Sequence, residues 1–257
     1  MENKLRIALI QTELLWEDPQ ANRTMLQSKI KGLANAVDLI VLPEMFSTGF
    51  TMDAISNFET MQGETLNWLK QMARQLNSAI CGSLIIKEAG VYYNRFVFVQ
   101  PDTTVTHYDK RHTFTLAGED KAFSSGTHKV VLQYKGWTIC PLVCYDLRFP
   151  VWSRNTEDCD LLIYVANWPN KRILAWDTLL RARAIENMTY TIGVNRFGVD
   201  GKNIEYSGHS AVYDALGQTI IFSEKEEVLT TTLDRFEVLQ QRNKFKFLED
   251  RDQFTVR

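Results

Sequence analysis

The chain has 257 residues and a formal net charge of −2, with 45% hydrophobic and 23% charged residues. That length and composition suit a globular protein with enough chain for one large core, and the near-neutral balance excludes a protein built to hold a polyanion on a basic surface. No apolar run approaches the ~18 residues of a membrane span, and the run at 7–10 is too short for the core of a secretion signal, so a cytoplasmic protein without membrane partners is expected.

In chain order, "LRIALIQTE" reads as a strand. Residues 21–35 read as a helix, because Met25, Leu26, Ile30 and Leu33 recur at helical spacing. "VDLIVLPEMF" is a buried strand ending at Pro43-Glu44. A second helix over 64–77 carries Leu66, Leu69, Met72 and Leu76 on one face. "AICGSLIIKE" and "VYYNRFVFVQ" are strands joined by a tight turn at Ala89-Gly90, and "TVTHYDK" is a further strand. A long polar loop occupies 111–127. The strands "KVVLQYKG", "WTICPLVC" and "DLLIYVANWP" follow, then a helix over 173–187 and the strand "TYTIGVNRFG". The end of the chain is β-rich: "GHSAVYD", "TIIFSE" and "EVLTTTLD", with turns at 214–217 and 225–226. No repeat, low-complexity segment or linker interrupts this order, so a single domain, 1–257, is expected. Strands alternate with helices in the first and third quarters, and hairpins fill the second and fourth. That pattern predicts two stacked sheets with helices on their outer faces.

The four cysteines, Cys81, Cys140, Cys144 and Cys159, make a poor disulfide framework in a chain this long. Cys140 and Cys144 are close in sequence, but no second pair or histidine cluster completes a zinc site. A thiol-redox or metal protein using these two remains an alternative reading. The short basic cluster "QRNKFKF" reads as a solvated face. The aromatic residues are spread through the strands and form no stacking platform, so no nucleic-acid partner is expected.

Three ionisable residues end apolar strands: Glu44, Lys110 and Cys144. Each has an ordinary reading by itself, as a solvated carboxylate, a surface charge or a small core hydrophobe. Together, at sheet ends where loops gather, they supply a base, a cation and a nucleophile.

"LPEMF" (42–46), "YDKRH" (108–112) and "LVCYDLRFP" (142–150) resemble, in order and rough spacing, the three motifs of the nitrilase or carbon–nitrogen hydrolase superfamily. "RIALIQTE", "ANW", "RARAIENMTYTIGVNRFG" and "YSGHSAVYDALGQ" extend the likeness over nearly the whole chain. The resemblance implies a four-layer α-β-β-α sandwich, a Glu44–Lys110–Cys144 triad and no metal or organic cofactor. It also implies a small-molecule amide substrate and a homodimer, with a C-terminal segment at about 235–257 near the interface. Glu119 in "LAGEDKAF" matches a second glutamate of the family's site, to orient substrate or Lys110; its ordinary reading is a surface carboxylate that orders the loop. The backbone N–H of Tyr145 is a candidate oxyanion donor beside Lys110. Phe46 and Phe50 near Glu44 either close a small pocket or fill core. Trp168 either walls the pocket or packs. Asp146 and Arg148 order the loop or touch substrate, and His112 and His209 have no assigned chemistry. Within the family the motifs are most similar to the bacterial omega-amidase branch, which implies deamidation of 2-oxo dicarboxylic monoamides. The distal carboxylate of such a substrate needs a cation, and Arg148, Arg172 and Arg196 are the candidates. Other amidases, carbamoylases and nitrilases of the family, and a catalytically idle ligand-binding member, are the alternatives.

Overall fold

Strand β1 (Lys4–Gln11) faces two cores at once, and its alternation sets the layering. In the computed structural model, which describes residues 3–256, Leu5, Ile7 and Leu9 point to one side, while Ala8 and Ile10 point to the other. The second side packs under helices α1 (Pro19–Ile30) and α3 (Glu64–Leu76), which contribute Leu26, Ile30, Leu66, Leu69 and Met72. The first side packs against a second sheet.

The first sheet has the order β14–β1–β2–β3–β4–β5, with β2 Leu39–Val41, β3 Ala79–Glu88, β4 Val91–Val99, β5 Val105–Asp109 and β14 Glu227–Asp234. The second has the order β13–β12–β9–β8–β7–β6, with β6 Leu132–Tyr134, β7 Trp137–Val143, β8 Leu161–Ala166, β9 Tyr190–Asn195, β12 Ser210–Tyr213 and β13 Thr219–Ser223. In each sheet three strands run parallel, β1–β2–β3 and β7–β8–β9, and antiparallel strands flank them. The faces of the two sheets share one core, from Leu39, Phe96 and Phe98 to Ile139, Leu161 and Ile163. Helix α5 (Ile173–Asn187) covers the outer face of the second sheet. It approaches β9 at Gly193, where a Cβ would stand 2.3 Å from Leu180 and 2.8 Å from Trp176. The result is the expected helix–sheet–sheet–helix sandwich, and the small hairpin of β10 (Phe197–Val199) and β11 (Glu205–Ser207) stands outside the sheets.

Several elements differ from expectation. The strand expected over 37–46 has three residues, because Glu44 begins a chain of turns and Met45 takes a left-handed φ of 43°. The first helix ends at Ile30 and tightens into a 3-10 turn, Lys31–Leu33. The loop over 111–127 contains a 3-10 turn, Thr115–Ala117, and the short helix α4 (Glu119–Ala122). Another short helix, α2 (Ala54–Asn57), is capped by Asp53. The C-terminal segment begins with helix α6 (Arg235–Phe245), which folds back on its own sheet through buried Val238 and through Arg242 Nε donating to Met188 O at 2.8 Å. Met1, Glu2 and Arg257 of the expected domain lie outside the described residues. Among the described residues, no helix is long and apolar enough to cross a membrane.

The C-terminal ends of β2, β7 and β8 open toward one end of the sandwich, where parallel strands deliver their loops. Glu44 lies three residues beyond β2, Cys144 follows β7, Asn167 follows β8 and Lys110 follows β5.

Candidate active site

Strand β7 is buried along its length and stops at Cys144, whose φ of +45° lies in the left-handed region. A non-glycine residue there costs about 1–3 kcal/mol and persists only where its surroundings impose it. The turn leads directly into a 3-10 helix, Cys144–Arg148. It brings Cys144, 8% exposed, to a cavity wall, whereas Cys140 on the strand is fully buried. Burial raises the Cys144 thiol well above its ordinary value; the neighbouring Glu44 adds to the rise, and Lys110 only partly opposes it. The neutral thiol is therefore the favoured resting form beside the Glu44 carboxylate. Lys110 favours the thiolate, but burial and the Glu44 charge outweigh it.

Lys110 is 1% exposed and lies between two carboxylates. Its Nζ donates to Glu44 Oε1 at 2.8 Å and to Glu119 Oε1 and Oε2 at 2.9 Å each. Burial alone would lower the Lys110 pKa, but Glu119 and Glu44 outweigh it and hold the ammonium above its usual value. Glu119 is fully buried, not a surface carboxylate. Burial lifts its pKa, Lys110 pulls the other way and the Glu44 charge adds to the lift. Its hydrogen-bond partners are all donors, namely Lys110 Nζ, Asn94 Nδ2 and Phe114 N, and such a set selects the carboxylate form.

Two asparagines complete the centre. Asn94 on β4 donates from Nδ2 to Glu44 Oε1 at 2.8 Å and to Glu119 Oε1 at 3.0 Å. Asn167 donates its backbone N–H to Glu44 Oε2 at 2.8 Å and its side-chain amide to Glu44 O at 2.6 Å. Asn94 has no sequence signal beyond being a polar residue at the head of the run "NRFVFV". Asn167 was visible only as the first residue of "NWP".

The cavity above Cys144 holds about 590 Å³. Phe50, Phe114, Tyr145, Trp168 and Tyr206 contribute aromatic walls. Four cations, Arg148, Lys171, Arg172 and Lys202, line it against two acids, Asp200 and Glu205. Asp200 is already occupied by the Lys202 and Ile204 amides and the Tyr206 hydroxyl. The Arg148 guanidinium stands 4.9 Å over Trp168, and that of Arg172 stands 5.0 Å over Phe114. Arg196 differs from expectation: it is fully buried outside the cavity and donates to the carbonyls of Leu14, Phe197 and Val199. Phe46 also lies outside the cavity, in the core under the helices, with its ring 6.3 Å from Trp68 and close to Gly82. The turn after Glu44 sends Phe46 inward and Phe50 outward, where the Lys110 Nζ sits 5.3 Å from the Phe50 ring. His112 lies behind the site and His209 pairs with Asp177 near α5; neither lines the cavity. No group of three or more His, Cys, Asp or Glu among the described residues is arranged to hold a metal.

This arrangement can transfer a proton from thiol to carboxylate beside a fixed cation, in a pocket with an apolar wall and a cationic rim. Residues 6–243 match the carbon–nitrogen hydrolase family. The chain is 42% identical over 254 residues to the omega-amidase YafV of Escherichia coli (strain K12), covering 98% of each protein. It is 28% identical over 253 residues to the 2-oxoglutaramate amidase of Bacillus subtilis (strain 168), covering 96% of this chain and 97% of the other. The crystal structure of XC1258 from Xanthomonas campestris, a CN-hydrolase superfamily protein, superposes with a TM-score of 0.97 at 42% identity, covering 99% of both chains. The chain thus belongs to the carbon–nitrogen hydrolase family, in the omega-amidase branch of the nitrilase superfamily.

Proposed function

We propose that this protein is an omega-amidase that hydrolyses 2-oxo dicarboxylic monoamides to the acid and ammonia, with Cys144 as nucleophile, Glu44 as general base and acid, and Lys110 as the fixed cation. The observation that carries the reading is the Lys110 ammonium held 2.8 Å from Glu44 and 2.9 Å from Glu119, next to the one cysteine that lines the cavity among the described residues. As Cys144 Sγ attacks the amide carbon, its proton passes to Glu44. The oxyanion meets the N–H of Tyr145, a first-turn amide with no acceptor inside its own helix. Lys110 can give it a third proton, because the two Glu119 oxygens are equidistant from Nζ and can share one N–H. Glu44 then protonates the departing nitrogen, ammonia leaves, and a thioester remains on Cys144. A water that gives its proton to Glu44 attacks the thioester, and the acid is released with the thiol restored. Glu119 and Asn94 hold Lys110 and Glu44 in register. An amide leaving group is served by this placement of the acid, whereas a nitrile needs its nitrogen protonated on the way in.

Arg148 and Arg172 are the proposed partners of the distal carboxylate, with Trp168 as a wall. Neither guanidinium has a carboxylate partner among the described residues, and each rests on an aromatic face that orients it. The names of the YafV and Bacillus subtilis relatives support the substrate class. A cytoplasmic location and a homodimer, with the C-terminal segment near the interface, belong to the same reading; the four cysteines are all free thiols.

The test is ammonia release from 2-oxoglutaramate, succinamate, the methyl ester of succinamate, butyramide and butyronitrile. The expected order puts the two acids first and the nitrile last. Esterification removes a charge-assisted hydrogen bond of roughly 1.5–3 kcal/mol, about one to two powers of ten in kcat/KM. Arg148→Gln or Arg172→Gln should lose that preference for acid over ester. A wild-type preference for butyramide or the nitrile would overturn the omega-amidase assignment. Substantial turnover by a folded Cys144→Ser protein would overturn the triad.

A further inference from the structure

We infer that Asp146 is a positioning residue: its buried carboxylate ties the segment that carries Lys110 to the turn that carries Cys144, and so sets the distance across which the cation and the nucleophile cooperate. The inference rests on the triad reading above and adds to it a residue that touches neither substrate nor any triad side chain.

Asp146 is fully buried, and four donors meet its two oxygens. Oδ1 accepts the backbone N–H of His112 at 3.0 Å and lies 2.8 Å from His112 Nδ1. Oδ2 accepts the Tyr108 hydroxyl at 2.7 Å and the Val143 N–H at 3.0 Å. Tyr108 and His112 stand two residues before and two residues after Lys110; Val143 and Asp146 itself bracket Cys144. One carboxylate therefore grips both flanks of the lysine and both flanks of the cysteine.

The two flanks are braced in turn. The Tyr108 oxygen accepts from Arg111 N at 3.1 Å and from Trp152 Nε1 at 2.9 Å, which saturates it. The His112 ring stacks on Phe149 at 3.7 Å, and Phe149 meets Tyr145 edge-on at 5.0 Å. Burial and the Asp146 charge push the Tyr108 hydroxyl well above its ordinary value, so it remains a donor. None of Asp146, Tyr108 and His112 lines the cavity, so their influence on the reaction must pass through Lys110 and Cys144.

The chemistry requires a carboxylate. Two ionised oxygens offer about four acceptor sites, which matches four donors. An amide would turn an NH₂ toward two of those donors, releasing either both His112 contacts or the Tyr108 and Val143 pair. Misplacement of a catalytic group by about 1 Å can cost about 10²-fold in rate.

The experiment compares Asp146→Asn, Asp146→Glu and Tyr108→Phe with the wild type, at a temperature where circular dichroism finds each folded. Asp146→Asn should lower kcat about 10- to 100-fold with KM within about twofold, and should slow iodoacetamide alkylation of Cys144. Tyr108→Phe, which deletes one hydroxyl and keeps the ring, should show a smaller loss of the same kind. Asp146→Glu should recover part of the rate, because it restores the four acceptor sites. A role limited to stability would lower the melting temperature and leave the kcat of the folded protein unchanged. Folded Asp146→Asn and Tyr108→Phe proteins with wild-type kcat, or losses confined to KM, would overturn the inference; if Asp146→Asn does not fold, Tyr108→Phe decides alone. If Cys144→Ser retains turnover, the triad reading falls and the bridge falls with it. If Cys144→Ser is inactive and the Asp146 and Tyr108 variants run normally, the bridge alone is wrong.

Discussion

Cys144 combines two properties that usually oppose each other: alone among the four cysteines it reaches the cavity wall, and its thiol is held well above the ordinary value, first by burial and then by Glu44. Reactivity here must come from transfer to Glu44 during attack, not from a standing thiolate. Iodoacetamide should therefore modify Cys144 and spare Cys81, Cys140 and Cys159, which are fully buried. The Cys144 alkylation rate should keep rising with pH beyond pH 9, because deprotonation of a raised thiol comes late. Tandem mass spectrometry can separate Cys140 from Cys144, and a rate that levels off near pH 7 would refute the neutral-thiol reading. Glu44, Lys110 and Cys144 are legible in the sequence because each follows a strand within a recognisable motif. Asn94 is not, because its meaning depends on the pairing of β4 with β5, where Asn94 O accepts the Lys110 N–H at 3.0 Å. The choice among the arginines is equally hidden: Arg196 follows a strand just as Lys110 and Cys144 do, and only the fold of the β10–β11 hairpin over it reveals that it is sealed from the cavity.

Among the elements, those with a strong local signal matched the structure closely. The β3–β4 hairpin turns at Ala89 and Gly90, both at positive φ, and α5 occupies the expected span. The brevity of β2 and the helix α6 carry no such signal, since β2 ends just before the turn that carries Glu44 and α6 buries only Val238 fully. A short strand needs outside support, and β2 receives it from Asp38, the residue before it. Its carboxylate accepts from Arg6 N at 2.9 Å on β1 and from Lys135 Nζ at 2.6 Å at the β6–β7 turn, and its carbonyl accepts the Tyr134 hydroxyl at 2.9 Å. Asp38 thus joins the two sheets. Burial alone would raise its pKa, but Arg6 and Lys135 outweigh that and bring it down to about 2 from an ordinary 3.8. The depressed value stabilises the fold by about 1–2 kcal/mol, allowing for the exposure of Arg6 and Lys135. That contribution is complete above about pH 4 and is lost as pH falls through about 2. Asp38→Asn should accordingly be less stable than wild type in urea at pH 7, with a gap that narrows between pH 4 and pH 2. A gap independent of pH would show that the ion pairs are not its source.

For the whole molecule, most apolar side chains are used in the two cores, and those left outside are informative by position. The C-terminal segment carries Phe236, Phe247, Phe254 and Val256 at 59%, 56%, 41% and 44% exposure. Helix α6 is anchored to its own sheet through Val238 and Arg242, so a tail folded back on its own domain accounts for residues 235–245. Beyond it Leu248 still packs on the core and Arg251 Nη1 donates to Asn155 O at 3.2 Å and Asp158 Oδ1 at 2.6 Å, but Phe247 stacks on Phe245 at 5.2 Å and presents its other side to solvent. Residues 246–256 thus carry more apolar surface than a solvated tail requires, and a second copy of the chain is the occupant that a two-fold assembly supplies without any further partner. Light scattering at micromolar concentration should return twice the 29.7 kDa chain mass. Phe247→Asp combined with Phe254→Asp should shift that mass toward the monomer while circular dichroism stays unchanged, since neither ring belongs to the buried cores. A wild-type monomer at that concentration would overturn the dimer. A dimer that survives the double substitution would move its interface away from the tail, toward another exposed face of the sandwich.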